Sequence, residues 1–183
     1  ERFLELYLLE DRLVVLSEEP RFFKEEPEEM TTESSVTDPV NTPMMPVYYG
    51  NNGIKVTVYD ITDRTQPEQI RTYTQEGSYL SSRMTDGYLY LISTKYLDAW
   101  AIQQENPETY VPCYRDGDQA YLVPASGIRI LPDGEAAYTV LGAVNCLDIQ
   151  EQVSVASILG TGSEVYMDSE AVYIAAGKNE WNE

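Results

Sequence analysis

Histidine is absent from all 183 residues, which excludes histidine triads, histidine general bases and histidine-ligated zinc or iron. Only two cysteines occur, Cys113 and Cys146. They are too few for a four-thiolate site, and no histidine is present to activate either as a hydrolase nucleophile. Basic residues are scarce too: 12 Lys and Arg stand against 31 Asp and Glu, a formal net charge of −19. Such a surface repels phosphate backbones and anionic lipid, so nucleic acid and membrane surfaces are poor partners. Cations, calcium included, or a basic partner fit the charge; solubility in a salty exterior is the plainer reading. No apolar run approaches the roughly 20 residues of a membrane span, so direct insertion is not expected. The chain opens at Glu1 without a methionine or a signal-peptide pattern, which reads as a mature or excised fragment. The glycines of "LGTGSE" (159–164) are not followed by Gly-Lys-Ser/Thr and read as a turn, not a phosphate loop.

What the chain does have is tyrosine, 15 against 3 Phe and 2 Trp. Tyrosine suits half-buried strand surfaces, where the ring packs and the hydroxyl reaches water or a partner. The strands themselves repeat. "RLVVLS" (12–17), "YLYLIS" (88–93) and "AVYIAA" (171–176) are alike. Each follows a polar turn and an earlier alternating run, "FLELYLL", "SYLSSRM" or "SEVYM", and so reads as a hairpin. Asp86-Gly87 is the strongest turn signal of the three. Two hairpins have matching strands upstream, the first of each ending in Asp-Ile, at Asp60-Ile61 and Asp148-Ile149, and the second beginning "EQIRTYT" or "EQVSVAS". Four antiparallel strands in about 40 residues is the size and strand count of a β-propeller blade.

The expected organisation is therefore all-β: one β-propeller-like domain or fragment over 1–183, an array of four-stranded antiparallel blades with long loop insertions. Residues 1–17 form a partial blade, 54–94 a blade and 138–177 another. Between them lie an acidic, Pro-rich insertion at 18–53 and a second long insertion at 95–137, in which "LDAWAIQQ" has the composition of a short helix. A closed propeller needs at least four blades, so two and a half units point to part of a larger ring.

The run "YDITDRTQPEQIRTYTQEGSYLSSRMTDGYLYLIST", the later "YVPCY", and "YTVLGAVNCLDI" followed by "GTGSEVYMDSEAVYIAA" resemble one bacterial family. It is the family of secreted or surface-attached proteins with a C-terminal β-propeller domain distantly related to WD repeats. The resemblance covers about 54–177 and implies fold and an extracellular or cell-surface location. It carries over no catalytic residues.

Arg83 aligns with Tyr7 and Tyr166 in the third strand of a unit, on the face of Ser81 and Thr85. It is expected to be half-buried and structural, satisfied by a carboxylate such as Asp60 or by backbone carbonyls. Asp60 and Asp148, equivalent after a strand, suit a turn-capping role. Asp116 and Asp118 in "RDGDQ" are placed for a weak calcium site, although a solvated turn is the simpler reading and the full calcium-loop pattern is missing. Cys113 and Cys146 admit either a disulfide tying the long loop to a strand or two buried free thiols. Trp100, Tyr110 and Tyr114, from the second insertion, form the expected ligand surface, because ordered loops on a rigid β scaffold carry binding. The functional expectation is a non-catalytic extracellular module that recognises a protein or a glycan. A structural segment able to self-associate through its blade faces comes second, and a carboxylate-based carbohydrate-active enzyme third.

Overall fold

The computed structural model describes residues 2–20, 52–98, 102–103, 105–132, 134–160, 164–168 and 171–175. Its architecture is all-β. The first sheet has the order β1 (Phe3–Leu9), β2 (Arg12–Glu19), β3 (Gly53–Asp60), β4 (Glu68–Glu76), β7 (Cys113–Asp116), β8 (Gln119–Leu122). The second runs β5 (Ser78–Thr85), β6 (Tyr88–Tyr96), β10 (Ala137–Asn145), β11 (Ser154–Leu159), β9 (Ile128–Ile130). A third sheet is the hairpin β12 (Glu164–Met167) and β13 (Val172–Ala175). Pairing is antiparallel throughout except β9, which lies parallel to β11.

Each of the first two sheets contains a four-stranded meander, as expected of blades, but the grouping differs from the sequence reading. The strands of 54–94 do not form one sheet: β3 and β4 join the first, β5 and β6 the second. The physical break is Gly77, a one-residue link held at φ +109, where a Cβ would lie 2.8 Å from the Thr94 carbonyl oxygen. Only glycine takes that backbone conformation at so close an approach. The hairpin β1–β2 therefore completes β3–β4, with Val14 opposite Val58 and Leu16 opposite Val56. Both long insertions join the second strand of a meander to its third, β2 to β3 and β6 to β10.

Alternation decides which face is buried. Val14, Leu16, Ile54, Val56 and Val58 of the first sheet meet Leu89, Leu91 and Val144 of the second in one apolar core. The Asp86-Gly87 turn has positive φ at both residues (+51 and +85), the geometry that lets a two-residue hairpin follow strand twist. Helical turns among the described residues are limited to Pro107–Thr109 and Ala125–Gly127, and no described helix is long and apolar enough to cross a membrane. The described part of "LDAWAIQQ" holds no helix; Gln103 instead bridges to Asn106. Most of the acidic insertion lies outside the described residues.

Candidate functional site

The second insertion folds back onto the first sheet and widens it. β7 pairs with β4, Tyr73 opposite Asp116 and Gln75 opposite Tyr114, and β8 returns along β7. The two-residue turn of this hairpin is Gly117-Asp118, between the paired Asp116 and Gln119, and Gly117 has φ +60. A Gly-Asp pair between alternating residues is a hairpin signal, one that the sequence reading assigned to a plain turn.

Charge is buried where the insertion docks. Lys95 on β6 and Glu76 on β4 are 3% and 0% exposed, with Nζ 2.8 Å from Oε2. Glu76 Oε2 also accepts the Cys113 backbone N–H at 3.1 Å and its thiol at 3.0 Å. Lys95 Nζ donates to the Val111 carbonyl at 3.0 Å. One ion pair thus joins both sheets to the start of β7. Beside it the Tyr73 hydroxyl donates to Gln75 Oε1 (2.8 Å), while Gln75 Nε2 donates to Ser93 Oγ (2.7 Å) and the Val140 carbonyl (3.1 Å). Gly142 makes room for these two side chains, since a Cβ there would strike Gln75 Oε1 and sit 2.6 Å from the Tyr73 hydroxyl.

A cleft of about 330 Å³ opens at the turn end of the hairpin, lined by Gln69, Ile70, Arg71, Thr72, Asp116, Gly117 and Ile149. Arg71 forms its floor. Nη2 lies 2.8 Å and Nε 3.2 Å from the two Asp116 oxygens, and the guanidinium also donates to the Asn145 and Glu151 carbonyls. The cation is neutralised by Asp116, and Gln69, Ile70, Thr72 and Ile149 complete the lining. Asn145 and Glu151 are fixed in turn: Asn145 Oδ1 caps the Leu147 and Asp148 amides, and Glu151 accepts the Tyr88 hydroxyl at 2.8 Å. On the same face of β7 as Asp116, one pleat away, Tyr114 stacks on the exposed Tyr121 with centroids 5.4 Å apart, and Tyr73 lies behind at 6.1 Å.

The expected site residues are dispersed. Tyr114 belongs to the stack; Tyr110 is half-buried at the end of the Pro107–Thr109 turn; Trp100 lies outside the described residues. Asp116 gives both oxygens to Arg71, and Asp118 is exposed at the turn. No group of three or more candidate ligands for a metal occurs among the described residues. Of the two readings open for the cysteines, the free-thiol one describes this structure. Both thiols are free and buried, Cys113 against Glu76 and Cys146 against the Val144 carbonyl, each held by its own sheet. Burial, and then the Glu76 carboxylate, pushes the Cys113 thiol far up; burial pushes Cys146 up to about 11.

Arg83 is exposed rather than half-buried and bonds the Met167 carbonyl at 2.7 Å, linking β5 to β12. Asp60 does not meet it. Asp60 caps the Thr62 amide (2.9 Å), which together with the neighbouring Arg12 holds its carboxyl below the usual range. Asp148 caps Gln150 in the same way. Sequence reasoning missed Arg71, Gln69, Glu76 and Lys95. Charged residues at inward positions of the strands "EQIRTYTQE" and "YLYLISTKY" were the available signal.

The sequence model of a family described as Beta propeller domain matches residues 1–183. No curated protein and no solved structure is similar enough to match.

Proposed function

The chain belongs to the Beta propeller domain family over its whole length, and from that premise we propose that it is a non-catalytic binding module of an exported bacterial protein. The ligand class that the cleft suits is a neutral saccharide. The observation that carries this reading is the cleft on the docked hairpin: a lining that includes Gln69 and an internally neutralised Arg71–Asp116 pair, with the Tyr114–Tyr121 stack on the same face as that pair. Sugar hydroxyls take amides and hydroxyls as partners, and the flat face of a sugar ring packs on an aromatic ring. Because Arg71 is already paired and the whole chain carries −19, anionic ligands are disfavoured.

Catalysis by paired carboxylates finds little support at this cleft, because Asp116 is held by Arg71 and an acid and a base need contrasting environments. The strongly acidic composition suits an extracellular or cell-surface setting. A protein partner gripping the exposed Tyr121 is the second reading, since aromatic anchors are typical of protein interfaces.

The test is binding to immobilised neutral and acidic oligosaccharides, with Gln69→Ala/Tyr121→Ala as the matched variant. Retention of a neutral oligosaccharide by the native chain and its loss in the variant is the expected result. Equal retention by both proteins would show that this cleft is not the site, and binding of acidic sugars alone would overturn the ligand class.

A further inference from the structure

Several of the 15 tyrosines lie ring to ring, and the pairs differ in how they are held. Tyr88 and Tyr90 sit on one strand with centroids 6.3 Å apart, and Tyr88 gives its hydroxyl to the Glu151 carboxylate. Tyr166 and Tyr173 face each other across β12 and β13 at 6.0 Å, their planes 38° apart. Tyr73 and Tyr114 meet at 6.1 Å and 45°. Tyr114 and Tyr121 are the closest and most nearly parallel of these pairs, at 5.4 Å and 24°.

The register of β7 and β8 produces that stack. Tyr114 stands directly opposite Tyr121, and directly opposed residues on one face of an antiparallel pair pack against each other. The two-residue turn at Gly117-Asp118 holds the register. Tyr114 is half-buried with Tyr73 behind it, whereas Tyr121 is 43% exposed and donates its hydroxyl to Gln119 Oε1 at 2.5 Å. Burial, and then the neighbouring Tyr121, raises the Tyr114 phenol above its ordinary value, so it carries its proton at neutral pH.

We propose that Tyr114 and Tyr121 are an oxidative cross-linking site, joined as a dityrosine by a one-electron oxidant such as a peroxidase acting on hydrogen peroxide. Each phenol gives up one electron and its hydroxyl proton. The two phenoxyl radicals form a new carbon–carbon bond between ring positions ortho to the hydroxyls. The hydrogens on those two carbons then move to oxygen, and both rings become aromatic again. Two hydrogen atoms leave in all; one hydrogen peroxide takes them, its O–O bond breaks, and two waters form. Tyr121 is the ring the oxidant reaches, and Gln119 Oε1 already stands at its hydroxyl proton. Tyr114 is the ring it couples to, because the fold holds the two in contact before any radical forms. The product is a covalent rung across β7 and β8, and it forms whether or not the cleft beside it takes a saccharide.

The native chain, at low micromolar concentration, is treated with peroxidase and hydrogen peroxide, digested with trypsin and followed by mass spectrometry. Trypsin cuts after Lys95, Arg115 and Arg129, so the new bond joins peptides 96–115 and 116–129 in a product two hydrogen atoms lighter than the two together. This linked peptide is expected as the leading dityrosine of the monomeric chain, with fragmentation placing the bond on Tyr114 and Tyr121. It should vanish in Tyr121→Phe, which keeps the ring and loses the phenol. It should fall to the level of the other tyrosine pairs when the chain is oxidised in denaturing urea. Dityrosine found chiefly at other pairs, or chiefly between two copies of the chain, would overturn the proposal. So would an oxidised native chain without dityrosine, or a linked peptide just as abundant in urea.

Discussion

Replacing Lys95 by methionine takes an ammonium group away from the buried Glu76 carboxylate. The separation is 2.8 Å, which at an effective dielectric constant of about 20 corresponds to roughly 6 kcal/mol of attraction. Desolvation of the two ions, several kcal/mol each, offsets that attraction, so the intact pair contributes little net stability. Removing one partner is different, because the remaining charge keeps its desolvation penalty; such losses run to about 3–5 kcal/mol. With a urea m-value of about 2–3 kcal/mol/M, the midpoint should fall by about 1–2.5 M. Glu76 also accepts the Cys113 amide, and a glutamine there retains an acceptor oxygen. The double variant Glu76→Gln/Lys95→Met should therefore recover most of the loss, to within about 2 kcal/mol of the native chain. Urea titrations of the three proteins are the assay. A single variant within about 1 kcal/mol of native, or a double variant no better than the single, would refute the reasoning.

Other consequences follow from the same geometry. Gly142→Ala drives a methyl into Gln75 and Tyr73 and should cost about 1–3 kcal/mol in thermal unfolding. Arg83→Ala removes one bond to an exposed backbone carbonyl and should change stability by less than about 1 kcal/mol. Thiol titration of the folded chain should find neither cysteine, and denaturation without reductant should release two; none released would mean a disulfide. Stability should be flat between about pH 6 and 8, since no histidine titrates there. Cys146 is raised from 9.0 to about 11 and Tyr7 from 10.0 to about 12, both chiefly by burial. Groups raised in the fold contribute stability below their unfolded values and lose it as pH climbs, so unfolding should ease from about pH 9 to 12. Urea midpoints measured against pH check both statements.

Much of this fold was legible in the sequence because a strand announces its face through alternation and a hairpin through its turn. Asp86-Gly87 located a hairpin, and the equivalence of Tyr7, Arg83 and Tyr166 survived intact in the strand registers. The break between sheets was not legible. In a run of antiparallel strands every neighbour is a candidate partner, and only the conformation and crowding of Gly77 reveal where the chain leaves one sheet for the next. The hairpin β7–β8 stayed hidden because its four-residue strands gain their partner from β4, a contact distant in sequence. The cleft was missed for a related reason. Arg71 and Glu76 were not singled out in the sequence, and the extent of their burial came from packing between sheets that strand alternation alone does not give. Asp116, read from the sequence as part of a solvated turn or a weak calcium site, pairs with an arginine 45 positions earlier.

The central claim is that the second insertion is a folded extension of the first sheet and presents the cleft. Hydrogen–deuterium exchange of the native chain tests it most directly. Amides of Cys113–Asp116 should exchange with the slow core of β4, and Lys95→Met should release them before the rest of that sheet. Exchange of residues 105–123 at the rate of a free peptide in the native chain would contradict the account.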